Sequence, residues 1–242
     1  MSTETLTSYS VDEQGVALIR LERPDARNAL NTQMLAELLE HLGVARGDDA
    51  VRVLVFSSAD QLGLSAGADV RERLDDEAKV ARMQLFSDLY DQIVAFPKPT
   101  IAACHGDVVG GGAEIAVACD MRVGGSNLRM RFPGAALGAP VGPARLVTLC
   151  GLAAAKYLLL SSRTIGADEA LRIGLVNRVA PAAATETSAL ELAAGVAAHP
   201  PEAVAQLKRM LHEWDDIEGR SALEGKGQVE WVRTGPGLPQ PD

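Results

Sequence analysis

The sequence predicts an α/β fold with one core and a helical region at its C-terminal end. Two observations lead to this prediction. Short β-branched runs alternate with longer segments of helical periodicity, and from about residue 181 onward the strand-like runs stop. We therefore divide the chain into a core, residues 1–180, and a C-terminal helical region, residues 181–242.

The composition indicates an ordinary globular protein, because 47% of the 242 residues are hydrophobic and 23% are charged. The formal net charge of −9 argues against nucleic acid as a partner, since binding phosphates requires a basic face. The first residues are polar and acidic, and no apolar run approaches the roughly 20 residues of a membrane span. We therefore expect a cytoplasmic protein without a membrane partner.

Four segments of the core are predicted strands, because each is short and rich in β-branched or small apolar residues. They are residues 16–21, 51–58, 100–105 and 121–125.

Helices are predicted between these strands and after the core. Asn31 is a suitable N-cap for a helix whose apolar residues recur on one face. A second helix is predicted through residues 70–96, ending before Pro97. In the C-terminal region three helices follow one another with no strand between them, at residues 184–199, 200–214 and 217–232.

One candidate chemistry is that of a serine hydrolase. The segment GLSAG, residues 63–67, matches the G-x-S-x-G pattern in which a serine is held in a sharp turn between strand and helix. Here six residues, 59–64, separate the predicted strand from Ser65, whereas a nucleophile elbow follows its strand directly. A serine hydrolase with Ser65 as its nucleophile is therefore an alternative hypothesis.

A second candidate chemistry uses two turns rich in small residues. Ala66, Gly67 and Ala68 precede Asp69, which is predicted to open a helix, and the glycines 110–112 precede Glu114. Small residues allow a ligand to approach the backbone closely, and the first N–H groups of a helix have no partner inside it.

Each turn can direct one backbone N–H group toward the same oxygen, and two such donors form an oxyanion hole. The Glu114 carboxylate would then lie beside the carbon next to the polarised carbonyl group. At that carbon a general acid or base delivers or removes the proton of an enolate.

With these segments in view, the chain resembles the crotonase family, the enoyl-CoA hydratases and isomerases. The resemblance rests on RPDARNALN (23–31), LSAGADV (64–70) and KPTIAACHGDVVGGGAEIAVACDMRV (98–123), with further similar segments in order over about 200 residues. It implies a crotonase-like spiral of ββα units. It also implies an acyl-CoA thioester as substrate, with coenzyme A as part of that substrate and no prosthetic group. The assembly it implies is a homotrimer or a dimer of trimers, with the C-terminal helices involved in trimerisation.

The resemblance also implies roles for particular residues of this sequence. The N–H groups of Ala66 and Gly111 would hold the thioester oxygen, and Glu114 would be the general acid or base. The residues implied to bind substrate are Ala26, Arg27, Ala66, Gly67, Ala68, Asp69 and Gly111. Arg27 would meet the phosphate end of coenzyme A.

The sequence departs from the family pattern at one catalytic position. Typical hydratases of the family place a second glutamate in a segment reading roughly F-P-E, and here Gly134 stands in its place. A single glutamate leaves isomerase, decarboxylase or atypical hydratase chemistry open, as well as an acyl-CoA-binding protein without turnover. His105 is the nearest titratable replacement along the sequence, although a structural role is expected for it. Arg145 is expected to hold loops through ion pairs.

Overall fold

The computed structural model describes residues 5–235, and this part of the chain contains two β-sheets surrounded by eight α-helices. The strands are β1 (Thr7–Val11), β2 (Val16–Leu21), β3 (Val53–Ser58), β4 (Gly63–Ser65), β5 (Thr100–Cys104), β6 (Asp107–Val109), β7 (Met121–Gly125), β8 (Arg129–Arg131), β9 (Thr164–Gly166) and β10 (Arg178–Ala180). The helices are α1 (Thr32–Gly47), α2 (Asp76–Val94), α3 (Gly111–Ala118), α4 (Pro143–Ser161), α5 (Ala167–Arg172), α6 (Thr185–Ala197), α7 (Pro201–Asp215) and α8 (Ile217–Thr234).

From β3 to β8, successive strands alternate between the two sheets. The larger sheet has the order β1-β2-β3-β5-β7-β10, and the smaller one has the order β4-β6-β8-β9. Each of β3, β5 and β7 is followed by a strand of the smaller sheet and then by a helix, which is α2, α3 or α4 respectively. The fold is therefore a spiral of ββα units, and the prediction made from the family resemblance is confirmed.

The larger sheet is buried on both faces. In β3, Leu54 and Phe56 belong to the main hydrophobic core, which α1 and α2 cover. Val53 and Val55 point to the opposite face, where they pack with alanines of α6. Because successive side chains of a strand point to opposite faces, burial on both sides explains why β3 is a continuous apolar run.

The predicted strands and the first helix are found in the structure. The segment 16–21 is β2 itself, and the other three predicted strands agree with β3, β5 and β7 to within two residues at each end. The Asn31 side chain accepts a hydrogen bond from the amide of Met34 at 2.9 Å, so Asn31 is the N-cap of α1.

The prediction that Asp69 opens a helix is wrong. Helix α2 begins at Asp76, where the Asp75 side chain accepts from the amide of Ala78. The carboxylate of Asp69 is instead bound by the amide of Arg71 at 2.9 Å and the guanidinium of Arg23 at 2.6 Å. These bonds hold the chain in an irregular turn ahead of the helix.

The expectation that no apolar run approaches the length of a membrane span is wrong for one helix. Helix α4 is long and apolar enough to cross a membrane by length and composition alone. In the structure its backbone leaves the helical region at Gly151, where φ is 75° and ψ is 162°. It also packs against α3 and α8 and buries Arg145.

The three predicted C-terminal helices are present as α6, α7 and α8, and two of them pack against the core. Helix α6 covers the larger sheet, whereas α8 packs along α2 and α4. This packing brings residues from near the end of the chain against residues of the core. The boundary at residue 180 between a core and a C-terminal region stays a prediction.

One partly buried carboxylate, whose side chain is 20% exposed, links α7 to the larger sheet. Asp120 accepts hydrogen bonds from the amide of Thr100 at 2.7 Å and from the Lys208 ammonium at 2.7 Å. Burial acts to raise the pKa of Asp120, but the charge of Lys208 and hydrogen bonds from His212, Lys208 and Thr100 lower the pKa overall. The stabilisation is thus present above the ordinary pKa of an aspartate and is lost as the pH falls through the lowered value.

Asp120→Asn should lower the free energy of unfolding at pH 7 by roughly 3 kcal/mol, because it leaves the Lys208 ammonium without its partner. The difference from the parent protein should shrink in acid. Urea unfolding at pH 7 and at about pH 2.5, which lies below the ordinary aspartate pKa of roughly 3.9, measures both effects. Asp76→Asn, at a side chain that is 98% exposed, should leave the unfolding midpoint unchanged. Equal midpoints for the parent and Asp120→Asn at pH 7 would contradict the prediction.

Candidate active site

A cavity of about 770 Å³ lies beside the turns that follow β4 and β6. Its walls come from the segment before α1, from α2, from the start of α3, from residues 131–141 and from α8. This cavity is lined by every residue that was predicted from the sequence to bind substrate, and also by Glu114 and Gly134. The predicted residues are therefore brought together in one place.

Strand pairing brings the two small-residue turns into contact. β4 and β6 are adjacent and parallel, with Ser65 opposite Val108, so the turns after them lie at the same edge of the sheet. A Cβ atom on Gly67 would lie 2.8 Å from the Val109 carbonyl oxygen and 3.4 Å from the Gly111 nitrogen. Because φ of Gly67 is also +94°, this close approach requires glycine.

The backbone of the first turn leaves one amide free, and it is not the amide that was predicted. The N–H of Ala66 donates to the carbonyl oxygen of Arg27 at 3.0 Å, so its assignment to the oxyanion hole is corrected. The N–H of Asp69 donates to the carbonyl oxygen of Leu30 at 2.9 Å. Between them, the N–H of Ala68 makes no hydrogen bond within residues 5–235.

The second turn presents the N-terminus of α3. Gly111 is the first residue of this helix, and its N–H has no acceptor in the described part of the chain. A Cβ atom there would lie 2.9 Å from Leu30 Cδ1, 3.0 Å from Phe86 Cε1 and 3.2 Å from the Tyr90 hydroxyl oxygen. A side chain at this position would require these three side chains to shift.

Glu114 is a buried carboxylate paired with an arginine. It follows Gly111 by one helical turn, and 2% of its surface is exposed. The Arg145 guanidinium donates to Glu114 Oε2 through Nη2 at 2.8 Å and through Nε at 3.2 Å. Burial nevertheless raises the pKa of Glu114 to about 7, because the charge of Arg145 only partly offsets it and the charge of Glu224 adds to it.

Arg145 forms the predicted ion pairs, but its partners could not be read from the sequence. Its Nη2 also donates to Glu224 Oε1 at 2.7 Å, and its guanidinium carbon lies 5.0 Å from the centroid of the Tyr90 ring. The residue numbers of Arg145 and Glu224 differ by 79. No local sequence pattern predicts a contact between residues so far apart in the chain. Glu224 and Tyr90 were therefore not identified from the sequence as partners of Arg145.

The residues predicted to meet the substrate's coenzyme A line the cavity. Ala26 and Arg27 lie there in the segment before α1. Asp69 lies there too, but its carboxylate is occupied by Arg23. Burial acts to raise the pKa of Asp69, whereas hydrogen bonds from Arg23 and the Arg71 amide and the charges of Arg23 and Arg82 lower it overall. The Asp69 carboxylate therefore holds the Arg23 guanidinium in position.

The structure does not assemble a serine nucleophile. Ser65 is buried, and its hydroxyl donates to the carbonyl oxygen of Asn28 at 2.7 Å and accepts from the amide of Gly67 at 3.1 Å. No histidine contacts Ser65 within residues 5–235. Ser65 therefore holds the first turn in shape.

His105 also lies away from the site. Its Nε2 is 2.8 Å from the carbonyl oxygen of Asp60, and His105 does not line the cavity. A structural role, as expected, agrees with this position. Among the described residues, no group of three or more His, Cys, Asp or Glu side chains is placed to hold a metal ion.

Comparison with known proteins places this geometry in a family. The family model described as Enoyl-CoA hydratase/isomerase matches residues 12–228. A short-chain-enoyl-CoA hydratase from Clostridium acetobutylicum is 34% identical over 237 residues, which are 95% of this chain and 91% of the relative. A 2,3-dehydroadipyl-CoA hydratase from Escherichia coli is 34% identical over 220 residues, 90% of this chain and 86% of the relative.

Solved structures agree with the sequence matches. An enoyl-CoA hydratase/isomerase from Xanthobacter autotrophicus superposes with a TM-score of 0.85 at 29% identity and covers 98% of this chain and 90% of that chain. An enoyl-CoA hydratase from Bacillus anthracis superposes with a TM-score of 0.84 at 28% identity, covering 94% of this chain and 90% of that one. The chain belongs to the enoyl-CoA hydratase/isomerase family, the crotonase family.

Proposed function

We propose that this protein is an enzyme that acts on an acyl-CoA thioester through an enolate, with Glu114 as its general acid and base. The observation that carries the proposal is the convergence of three groups in one cavity. These are the free N–H of Ala68, the free N–H of Gly111 and the carboxyl group of Glu114. The names of the matched relatives, which are hydratases of enoyl-CoA thioesters, support the same substrate class.

The two free amides can stabilise the negative charge that develops on the thioester oxygen. When the C2–H bond of the substrate breaks, its electron pair moves toward the carbonyl group and the oxygen becomes an enolate oxygen. Donors that are already aimed at that oxygen lower the barrier, because they need no reorganisation during the reaction. We assign Ala68 and Gly111 as these donors.

Glu114 receives the proton that leaves C2, and the protonated carboxyl group can then deliver a proton to another carbon of the enolate, which is C4 in an enoyl thioester. A carboxyl group with a pKa of about 7 is present in both protonation states near neutral pH. One group can then serve as base in one half of the reaction and as acid in the other. Proton transfer of this kind supports isomerisation of an enoyl thioester, or hydration with a single carboxyl group.

The coenzyme A end of the substrate requires cations at the mouth of the cavity. The lining contains Arg23, Arg27, Arg71 and Arg131, and Arg23 is held by Asp69. A local group of arginines allows a protein of net charge −9 to bind the phosphates of coenzyme A. We propose Arg27, with Ala26 beside it, as part of this contact.

The second glutamate of typical hydratases has no room at its expected position. Gly134 has φ −49° and ψ −50°, a conformation that any residue adopts. However, a Cβ atom there would lie 2.4 Å from the carbonyl oxygen of Ala139. The wall of the cavity therefore accepts only glycine here, and a glutamate cannot be added without moving the backbone.

Assembly and location stay predictions. The exposed side chains of α7, Leu207 at 60%, Leu211 at 60% and Trp214 at 77%, lie on one face of the helix and support a contact between subunits. We propose a homotrimer or a dimer of trimers in the cytoplasm.

Glu114→Gln should lower kcat by roughly 10²–10⁴, because the amide can neither take nor give the proton. The affinity for acyl-CoA should change by only a few-fold, since the side chain keeps its shape. The measurement is turnover and calorimetric binding over a panel of enoyl-, hydroxyacyl- and malonyl-type CoA thioesters. Parent protein that binds tightly and turns over none of them would instead indicate a binding protein without catalysis.

Ala68→Pro should lower kcat by roughly 10²–10³, because it removes one N–H donor from the proposed oxyanion hole. Ala66→Pro is the matched comparison. It removes an N–H that is bonded to the Arg27 carbonyl oxygen, so its main effect should be a stability loss of roughly 1–3 kcal/mol. Steady-state kinetics and thermal unfolding of both variants test the assignment. Unchanged kcat in folded Ala68→Pro would exclude Ala68 as a donor.

Gly134→Ala should destabilise the protein by roughly 1–3 kcal/mol, because its Cβ meets the backbone of Ala139. Gly195→Ala, where a Cβ atom would have no neighbour within 4 Å, is the control and should not lower the unfolding midpoint. For the same reason Gly134→Glu should not increase hydration of crotonyl-CoA. A gain in hydration with full stability would show that the wall accommodates a side chain after all.

A further inference from the structure

Two buried carboxylates share one buried cation beside the site. The side-chain exposures are 3% for Glu114, 2% for Arg145 and 6% for Glu224. When both carboxylates are ionised the cluster carries one uncompensated negative charge. An uncompensated charge away from water is costly, so one of the two glutamates binds a proton more readily than an exposed glutamate does.

Hydrogen bonding decides which of the two glutamates stays ionised. Glu224 Oε1 accepts from the amide of Gly142 at 2.9 Å, from Arg145 Nη2 at 2.7 Å and from Gln228 Nε2 at 2.7 Å. Its Oε2 accepts from the amide of Ala144 at 2.7 Å. These amides belong to the first turn of α4, where the helix dipole also favours a negative charge.

Glu114 has fewer donors. Within residues 5–235 its carboxylate accepts hydrogen bonds from Arg145 alone. Its other oxygen, Oε1, would lie 2.4 Å from a Cβ atom on Gly142, so the oxygen is packed closely against that glycine. Donors to the charged form favour ionisation, and Glu224 has more of them. The extra proton therefore belongs to Glu114.

We propose that Glu224 in α8 is a positioning residue for the reaction: it holds Arg145 and, through its charge, makes Glu114 the carboxyl group of the pair that exchanges a proton with the substrate. This inference rests on the proposed function of Glu114. It gives the C-terminal helix a role in the chemistry. It also explains how one carboxyl group can act as both base and acid while the position of the second glutamate is closed at Gly134.

The groups that face Glu114 come from three elements. Arg145 lies on α4, Glu224 on α8 and Tyr90 on α2. Burial, with the nearby charge of Glu114, raises the pKa of Tyr90 well above its ordinary value, so its phenol stays neutral. Asp91 lies behind Arg145 and is hydrogen-bonded to Ser221 at 2.7 Å. The charges that act directly on Glu114 are therefore those of Arg145 and Glu224.

The test is a pH titration of the full-length protein with ¹³C-labelled glutamate side chains, followed by NMR. The parent protein should show one buried glutamate that titrates near neutral pH. In Glu114→Gln that titration should disappear. If the near-neutral titration persists in Glu114→Gln, Glu224 is the group that holds the proton and the proposal is overturned.

Glu224→Gln should lower the pKa of Glu114 by roughly 1–3, because Arg145 then faces a single carboxylate. The pH–rate profile should move to lower pH by the same amount. Glu230→Gln is the control, because it makes the same change on α8 at a side chain that is 55% exposed. Glu230→Gln should change neither the pKa of Glu114 nor the pH–rate profile. A Glu114 titration that is unchanged in Glu224→Gln would also overturn the proposal.

A failure of this inference can be distinguished from a failure of the proposed function. The NMR titration needs no substrate, so a protein that turns over no acyl-CoA still reports whether Glu224 sets the protonation of Glu114. If Glu224→Gln does not fold, the parent protein and Glu114→Gln still test the proposal, because a near-neutral titration that persists in Glu114→Gln overturns it. Glu114→Gln keeps a balanced pair of Arg145 and Glu224 and is expected to fold.

Discussion

The close contact between the turns that follow β4 and β6 is the constraint on which the site depends. Parallel pairing of these short strands sets the two turns side by side, and the distance is so small that only glycine fits at residue 67. The same contact sets the free amide of Ala68 beside the N-terminus of α3. A single packing feature therefore brings together the two free amides that we propose as donors to an enolate oxygen.

The buried charge cluster is the second feature that gives the site its chemistry. A glutamate alone in an apolar site would be protonated, and a glutamate with an arginine of its own would be ionised. In the proposed arrangement Glu114 lies between these limits, because burial raises its pKa and Arg145, which is shared with Glu224, offsets that rise only in part. This arrangement joins α3, α4 and α8, so the C-terminal helix contributes to the site as well as to the packing of α2.

The local features of the fold could be predicted because each of them depends on a short segment of the sequence. The cap at Asn31 and the buried strand β2 depend on residues that are neighbours in sequence, and both are found where expected. Gly111 and Glu114 also lie within one helical turn, so their relation follows from helix geometry alone. The loop after Ala66 was less predictable, because an irregular turn at Asp69 has no periodic pattern.

The sequence by itself determined the family, the order of the ββα units and the glutamate that lies at the centre of the cavity. The tertiary structure decided which amide is free, because the choice between Ala66 and Ala68 depends on an acceptor in the separate segment that contains Arg27. It also decided that Glu114 and Glu224 share Arg145, which joins three helices that are distant in the sequence. Hydrogen bonds and ion pairs depend on distances of a few ångströms, and only the folded chain sets those distances.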